Sequence, residues 1–287
     1  MNTWIIGARP RTLPAAIVPV ALGAAAAVGI GTVTWWRIAA CLIVSVALQI
    51  GVNYANDYSD GVRGTDDVRV GPERLVASGL ASPAAVKRAA FASFGVAAVA
   101  GLAIALDTSL ILLVVGAAAI AAGWFYTGGP KPYGYLGLGE VFVFVFFGLV
   151  ATAGSTYAAV GKITALSVVA GCVAGSLACA LLVINNLRDI PTDRDVGKRT
   201  LAVRLGDSGT RLLYVLLVGG AFVLIGLCAV WRPFTLLGLL AAPLAVRPIR
   251  KVLSGASGSA LIPVLGGTGN LQLAVGLATT IGLALGG

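Results

Sequence analysis

Apolar residues in this chain run in long, unbroken stretches, without the alternation of a barrel strand. A spanning helix needs about 20 mostly apolar residues, and in lipid only helices and closed barrels satisfy the backbone. The runs lie near residues 13–31, 36–55, 86–106, 109–127, 138–158, 164–186, 211–230, 233–247 and 261–285. They predict an all-α polytopic membrane protein of nine transmembrane helices around a central cavity, the eighth run being the shortest. The first run follows Arg9 and Arg11 but exceeds the apolar core of a signal peptide.

Between the runs the polar breaks are short, except near 56–85 and 187–210, and no polar linker separates two regimes. Residues 1–287 therefore read as one membrane domain with two long loops. Composition agrees: the chain is 58% hydrophobic and 11% charged, with a mean hydropathy of +0.96, outside the range of soluble domains. Cys41, Cys172, Cys179 and Cys228 all lie within apolar runs and read as small hydrophobic residues. The absence of histidine removes imidazole from any metal site or proton transfer, leaving carboxylates, amides, phenols and cations.

Placing the amino terminus in the cytoplasm collects nearly all of the 20 Lys and Arg residues on that side, with only Arg37, Lys162 and Arg232 opposite. That bias is the signature of cytoplasmic loops. The net charge of +9 is thus mostly a matter of topology, and a nucleic-acid partner is not implied.

Nine of the 11 acidic residues fall in the two long loops: Asp57, Asp60, Asp66, Asp67 and Glu73, then Asp189, Asp193, Asp195 and Asp207. In "NYANDYSDGVRGTDD" Asn56 and Asp60 are four apart, and in "NNLRDIPTDRDVGKR" Asn185, Asp189 and Asp193 keep the same step. Four residues is about one helical turn, so each set lines one face of a helix end. Both sets end even-numbered runs and face the same side. Carboxylates at a helix C-terminus meet the negative end of the dipole and repel one another, so the arrangement calls for a counter-charge. Oxygen-only ligands favour a hard ion, and Mg²⁺ usually combines one or two carboxylates with phosphate oxygens.

Cations stand beside both sets: Arg74 in "GPERLVASG", and Lys198 with Arg199 in "DVGKRTLAVRLG". With Mg²⁺ they would form a clamp for a phosphorylated group, although positive-inside bias alone also places cations there. Tyr54, Tyr58, Tyr126, Tyr133 and Tyr135 flank helix ends, where an aromatic belt is expected, and Tyr126 is kept as a site candidate. Glu140 opens a run and either lies at the interface or turns toward a polar cavity. Phe142 and Phe146 share a helix face; packing is the default, and lining an apolar tail or stabilising a cation is the functional alternative.

Paired Asn/Asp motifs at the ends of the second and sixth runs resemble those of the UbiA superfamily of intramembrane prenyltransferases. "NDYSDGVRGTDD", "RPRTLPAAIVPV" and "YTGGPKPYGYLGLGE" are most similar to the branch that prenylates 1,4-dihydroxy-2-naphthoate. The likeness runs from residue 8 to about 205, and the wide gap between Asp60 and Asp66 is like that branch. The resemblance implies that a polyprenyl diphosphate places its head between the two acidic motifs and its tail among the helices. It implies Mg²⁺, as two ions bridging the diphosphate, held by Asn56, Asp57, Asp60, Asp66, Asn185, Asp189 and Asp193. Catalysis would then rest on Asp60, Asp66, Asp189 and Asp193, with Arg9, Arg74, Lys198 and Arg199 on the diphosphate. Tyr126, Glu140, Phe142 and Phe146 would meet the acceptor or the tail. The implied product is demethylmenaquinol, formed with loss of CO₂ and diphosphate, in a cytoplasmic membrane with the active site facing the cytoplasm.

Other readings stay open at the level of sequence. Another aromatic acceptor, such as 4-hydroxybenzoate, would need the same motifs. An ion-coupled transporter would carry intramembrane acids and repeated halves, whereas here the acids sit at the ends of runs and only the loops are alike. A phosphatidyltransferase using CDP-alcohols also joins Asp pairs to Mg²⁺, but its single long motif is absent.

Overall fold

The computed structural model describes residues 2–65 and 73–287, and every described element is helical. A short helix α1 (Thr3–Ala8) and a 3-10 turn (Pro10–Thr12) lead into α2 (Pro14–Ala27), bent from them by 50°. Next come α3 (Trp35–Val62), α4 (Pro83–Asp107) and α5 (Ile111–Phe125). A 3-10 turn at Tyr133–Leu136 precedes α6 (Gly139–Val143), which passes through a π-helical stretch, Phe144–Val150, into α7 (Ala151–Val160). Then follow α8 (Ala165–Asp195), α9 (Leu201–Cys228), a 3-10 stretch (Pro233–Ala241), α10 (Ala242–Leu253) and α11 (Ile262–Leu285).

Six of these helices are long and apolar enough to cross a membrane, or seven if the bent pair Thr3–Thr12 and Pro14–Ala27 makes one span, and not the nine predicted. The apolar runs are where the sequence indicates, but three of them do not build full-length helices. α2 starts at Pro14 but stops at Ala27, leaving it 14 residues long, and α5 has only 15, against about 20 needed to span. The run near 233–247 becomes a 3-10 stretch and then a 12-residue helix carrying Arg247, Arg250 and Lys251. An orientation that alternates over nine crossings, and with it the cytoplasmic amino terminus, no longer follows from the helix count.

The bundle is built around α8. Its apolar window is 78% buried, where the other long helices reach 28–44%. Thr164 and Ser167 close its first turn as a reciprocal capping pair, and its small residues let neighbours approach. The π-helical stretch packs closely against it. A Cβ on Gly148 would lie 2.6 Å from Gly175 Cα and 2.7 Å from the Gly171 carbonyl oxygen. Large apolar side chains such as Val99, Leu106, Val114, Val223 and Leu277 face outward, as lipid-facing positions do.

With little hydrophobic drive between helices in lipid, polar contacts help fix the register. Ser45 donates to the Ala16 carbonyl and Thr156 to the Gly23 carbonyl, each at 2.8 Å, and Tyr214 pairs with Thr268 at 2.8 Å. At the end of the bundle away from the acidic motifs, Arg37 bonds the Asp107 carboxylate at 2.7 Å and the Ala158 carbonyl at 3.1 Å. Arg232, buried, donates to the carbonyls of Ala25 at 2.9 Å and Leu283 at 2.6 Å, and also reaches that of Val28. Each arginine thus satisfies the exposed carbonyls of two helix ends.

Gly148→Val is expected to lower the thermal unfolding midpoint in detergent, with an overpacking cost of about 1–3 kcal/mol. Gly226→Ala, where nothing lies within 4 Å of the added carbon, should leave it unchanged or raise it. Equal midpoints for the Gly148→Val variant and wild type would show that the π-helical seam is not tightly closed.

Candidate functional site

The C-terminal turns of α3 and α8 carry the two acidic motifs to one end of the bundle, over a cavity of about 550 Å³, a usual size for a ligand pocket. Its polar wall includes Arg9, Asn56, Asp60, Arg74, Asn185, Asp189, Asp193 and Lys198. Its apolar wall includes Leu102, Leu113, Ile120, Phe142, Phe146 and Phe147. Phe142 stacks on Tyr133 at 4.0 Å and on Phe146 at 6.1 Å between ring centroids.

Asp60, buried at the end of α3, lies 3.3 Å from Lys198 Nζ and accepts a hydrogen bond from the Tyr135 hydroxyl at 2.7 Å. Asp189, buried at the end of α8, is gripped by its neighbour Arg188 through two bonds of 2.6 and 2.8 Å. Asn56 accepts from the Thr127 hydroxyl at 2.8 Å. Arg9 is the one described non-glycine residue with positive φ, at 50°, a conformation that costs free energy unless the surroundings enforce it. The Thr12 hydroxyl holds its carbonyl at 2.9 Å, and its guanidinium reaches the Asn53 carbonyl at 3.5 Å and Asp57 at 4.0 Å.

Asp57 points away from the cavity wall. Fully buried, its two oxygens accept the backbone N–H groups of Leu75 and Val76 at 2.9 and 3.0 Å. It anchors the turn that sets Arg74 on the wall, a different task from ligating a metal. Arg199 is exposed and off the wall; its backbone N–H donates to the Tyr135 carbonyl at 3.0 Å. Glu140 is buried beside the cavity and accepts from Asn186 at 2.8 Å. Asp66 and Asp67 lie outside the described residues.

Tyr133 donates its hydroxyl to the Ala122 carbonyl at 2.8 Å, and Tyr135 donates to Asp60. Burial pushes Tyr126 well above its ordinary value, reinforced by the nearby charge of Glu140 and then by Tyr133, Asp60 and Asp193. Tyr133 is raised by burial, and Tyr135 by burial and by Asp60.

The donor set at the acidic end suits a hard cation: carboxylates and amides, in a chain without histidine, while the sulfur on the cavity wall, Cys41, packs with Val44 and Leu112 on the apolar side. Among the described residues, no three acidic, Cys or His side chains converge closely enough to hold an ion alone. Mg²⁺ takes one or two carboxylates and completes its shell with water and phosphate oxygens, so these side chains would hold it only together with the phosphate groups of a bound ligand. The arrangement is a polar cap of acids and cations closing an apolar chamber.

The pattern of the UbiA prenyltransferase family matches residues 16–281. The chain belongs to this family. A Mycobacterium tuberculosis relative, 1,4-dihydroxy-2-naphthoate octaprenyltransferase, is 52% identical over 99% of this chain and 97% of its own length. The Escherichia coli relative of the same name is 36% identical over 99% and 96%. The fold is shared with the apo structure of a UbiA homolog from Aeropyrum pernix K1, at 15% identity and a TM-score of 0.71 over 94% of this chain and 96% of that one. It is shared too with a UbiA homolog from Archaeoglobus fulgidus bound to GPP and Mg²⁺, at 16% identity and 0.62 over 98% and 100%.

Sequence reasoning passed over Arg188, Asn186 and Thr127, and assigned Tyr135 to the aromatic belt. A signal existed only for Arg188, an arginine inside an acidic run; the others depend on which loops meet. Asp57→Ala is expected to lower the thermal midpoint, because it strands amides at Leu75 and Val76 that each cost about 1–3 kcal/mol when buried and unpaired. An Asp57→Ala variant as stable as wild type would refute the anchoring role.

Proposed function

We propose that this protein transfers a polyprenyl group from polyprenyl diphosphate to 1,4-dihydroxy-2-naphthoate in a Mg²⁺-dependent reaction. It releases CO₂ and diphosphate and yields demethylmenaquinol for menaquinone biosynthesis. The observation that carries this reading is the meeting of Asp60 from one acidic motif with Lys198 from the other at the polar end of an apolar cavity. The name shared by relatives 52% and 36% identical over nearly the whole chain supports the choice of acceptor. Membership of a prenyltransferase family sets aside the transporter and the CDP-alcohol enzyme.

In this reading Asn56, Asp60, Asn185, Asp189 and Asp193 would hold Mg²⁺, as two ions, with Asp66 a further ligand on sequence grounds alone. Mg²⁺, when bound, supplies positive charge against the diphosphate. Arg9, Arg74 and Lys198 hold the diphosphate oxygens, Arg through paired hydrogen bonds and Lys as a point charge. The allylic C–O bond breaks and its electron pair leaves with diphosphate. The chamber formed by Phe142, Phe146 and Tyr133 keeps water from the allylic carbon and offers aromatic faces to its charge. The ring carbon bearing the carboxylate forms the new C–C bond. Loss of CO₂ then returns the bonding pair to the ring, so no ring proton has to be removed, which suits a chain without histidine. Tyr126 and Asn186 on the cavity wall, with Glu140 behind Asn186, would meet the acceptor's hydroxyl groups.

The site end is inferred to face the cytoplasm of a plasma membrane from the positive-inside bias. Two exceptions at the opposite end, Arg37 and Arg232, are already committed to helix ends.

Purified protein offered a labelled polyprenyl diphosphate and several aromatic acids should release diphosphate and CO₂ with 1,4-dihydroxy-2-naphthoate, and chelation of Mg²⁺ should stop both. Asp60→Ala and Asp189→Ala should each abolish turnover in a folded protein. Lys198→Ala should raise the donor KM more than the acceptor KM. Undiminished turnover in chelator, or near-normal activity in both Asp variants, would remove the metal reading.

A further inference from the structure

One residue on a loop without acids touches both halves of the polar cap. Tyr135 lies in the 3-10 turn between α5 and α6, and that turn is held on every side. Its own N–H donates to the Pro132 carbonyl at 3.1 Å, the Gly134 N–H donates to the Tyr126 carbonyl at 3.0 Å, and the Tyr135 carbonyl accepts from Arg199 N–H at 3.0 Å. Gly134 packs so closely that a Cβ there would sit 2.6 Å from the Tyr126 carbonyl oxygen. Gly137, at φ 77°, ends the turn in the left-handed region.

From this fixed backbone the side chain reaches into the cavity. Its hydroxyl donates to Asp60 Oδ1 at 2.7 Å, and the same oxygen lies 3.3 Å from Lys198 Nζ. The ring lies beneath that ammonium, 4.8 Å from Nζ to the ring centroid, while the Arg63 guanidinium carbon lies 5.4 Å from the ring. Asp60 ends the first acidic motif's helix and Lys198 follows the second, so a single phenol fixes a carboxylate from one and a cation from the other.

We propose that Tyr135 is a positioning residue for the metal–diphosphate site: its hydroxyl sets the direction of the Asp60 carboxylate, and its ring seats Lys198. Pinning one carboxylate oxygen determines where the other points. The ring does the same for a lysine, whose four-carbon stem otherwise loses much rotamer freedom on binding. A belt tyrosine would need only its ring and an interface. Tyr135 uses its hydroxyl, and uses it on an acid inside the cavity.

The inference rests on the diphosphate reading above, and the test keeps the two apart. Binding of inorganic pyrophosphate to the full-length protein is followed by calorimetry as Mg²⁺ is varied, alongside the thermal midpoint without ligand. Tyr135→Phe keeps the ring and the backbone contacts. It should raise the Mg²⁺ needed for half-maximal pyrophosphate binding about tenfold, as expected for loss of a hydrogen bond to a charged group. Its KM for the aromatic acceptor should match wild type, and any drop in its unliganded midpoint should be smaller than that of Tyr135→Leu. Tyr135→Leu should weaken pyrophosphate binding further, because the seat for Lys198 is lost as well. A Tyr135→Phe variant that binds Mg²⁺ and pyrophosphate as wild type does, whatever its midpoint, would overturn the positioning role and leave the diphosphate reading standing. Wild-type protein that binds no pyrophosphate at any Mg²⁺ concentration would overturn both.

Discussion

Lys198 and Asp60 lie 3.3 Å apart, one just after α8 and the other in the last turn of α3, and that contact sums up the constraint on the whole polar end. Carboxylates at the C-terminal ends of apolar helices meet an unfavourable dipole and a poor solvent, so each must find positive charge. Asp60 finds Lys198, Asp189 finds Arg188, and Asp57 comes within 4.0 Å of Arg9. Helices that could slide in lipid are held in register where a pair joins two elements, as Asp60–Lys198 and Asp57–Arg9 do, whereas Arg188 and Asp189 are neighbours on α8 and satisfy charge without fixing register.

Below that cap the same chain makes an apolar chamber by packing instead of charge. The π-helical stretch is closed against α8 by glycines on both sides, and π-bulges inside helices often accompany functional sites. Backbone-to-backbone contact at Gly148, Gly171 and Gly175 makes this wall stiff, and its residues Phe146 and Phe147 line the cavity. Charge fixes one end of the site and close packing fixes its side, so the reacting groups of a bound donor would meet a preformed surface.

The four-residue step of the acidic motifs was readable because helical periodicity alone places Asn185, Asp189 and Asp193 on one face. The meeting of both motifs could be inferred from their shared side. The helix count could not be read, because hydropathy does not reveal that α2 stops at Ala27 or that the run after Arg232 coils into a 3-10 stretch. Asp57 and Asp60 look equivalent in sequence. Three residues apart on one helix, they part ways only because the 74–78 turn folds back over the first. Tyr135 was hidden for the same reason: its partners lie on α3 and beyond α8, and no local pattern announces a contact between loops.

Arg232 has a consequence for how the molecule comes apart. Helix ends are ordinarily where opening begins, each with its own small free energy. Here the last turns of α2 and α11 surrender their carbonyls to one guanidinium, so neither can fray without releasing the other. Amide exchange in those two turns would therefore report a single shared event, the departure of one arginine, across some 250 intervening residues.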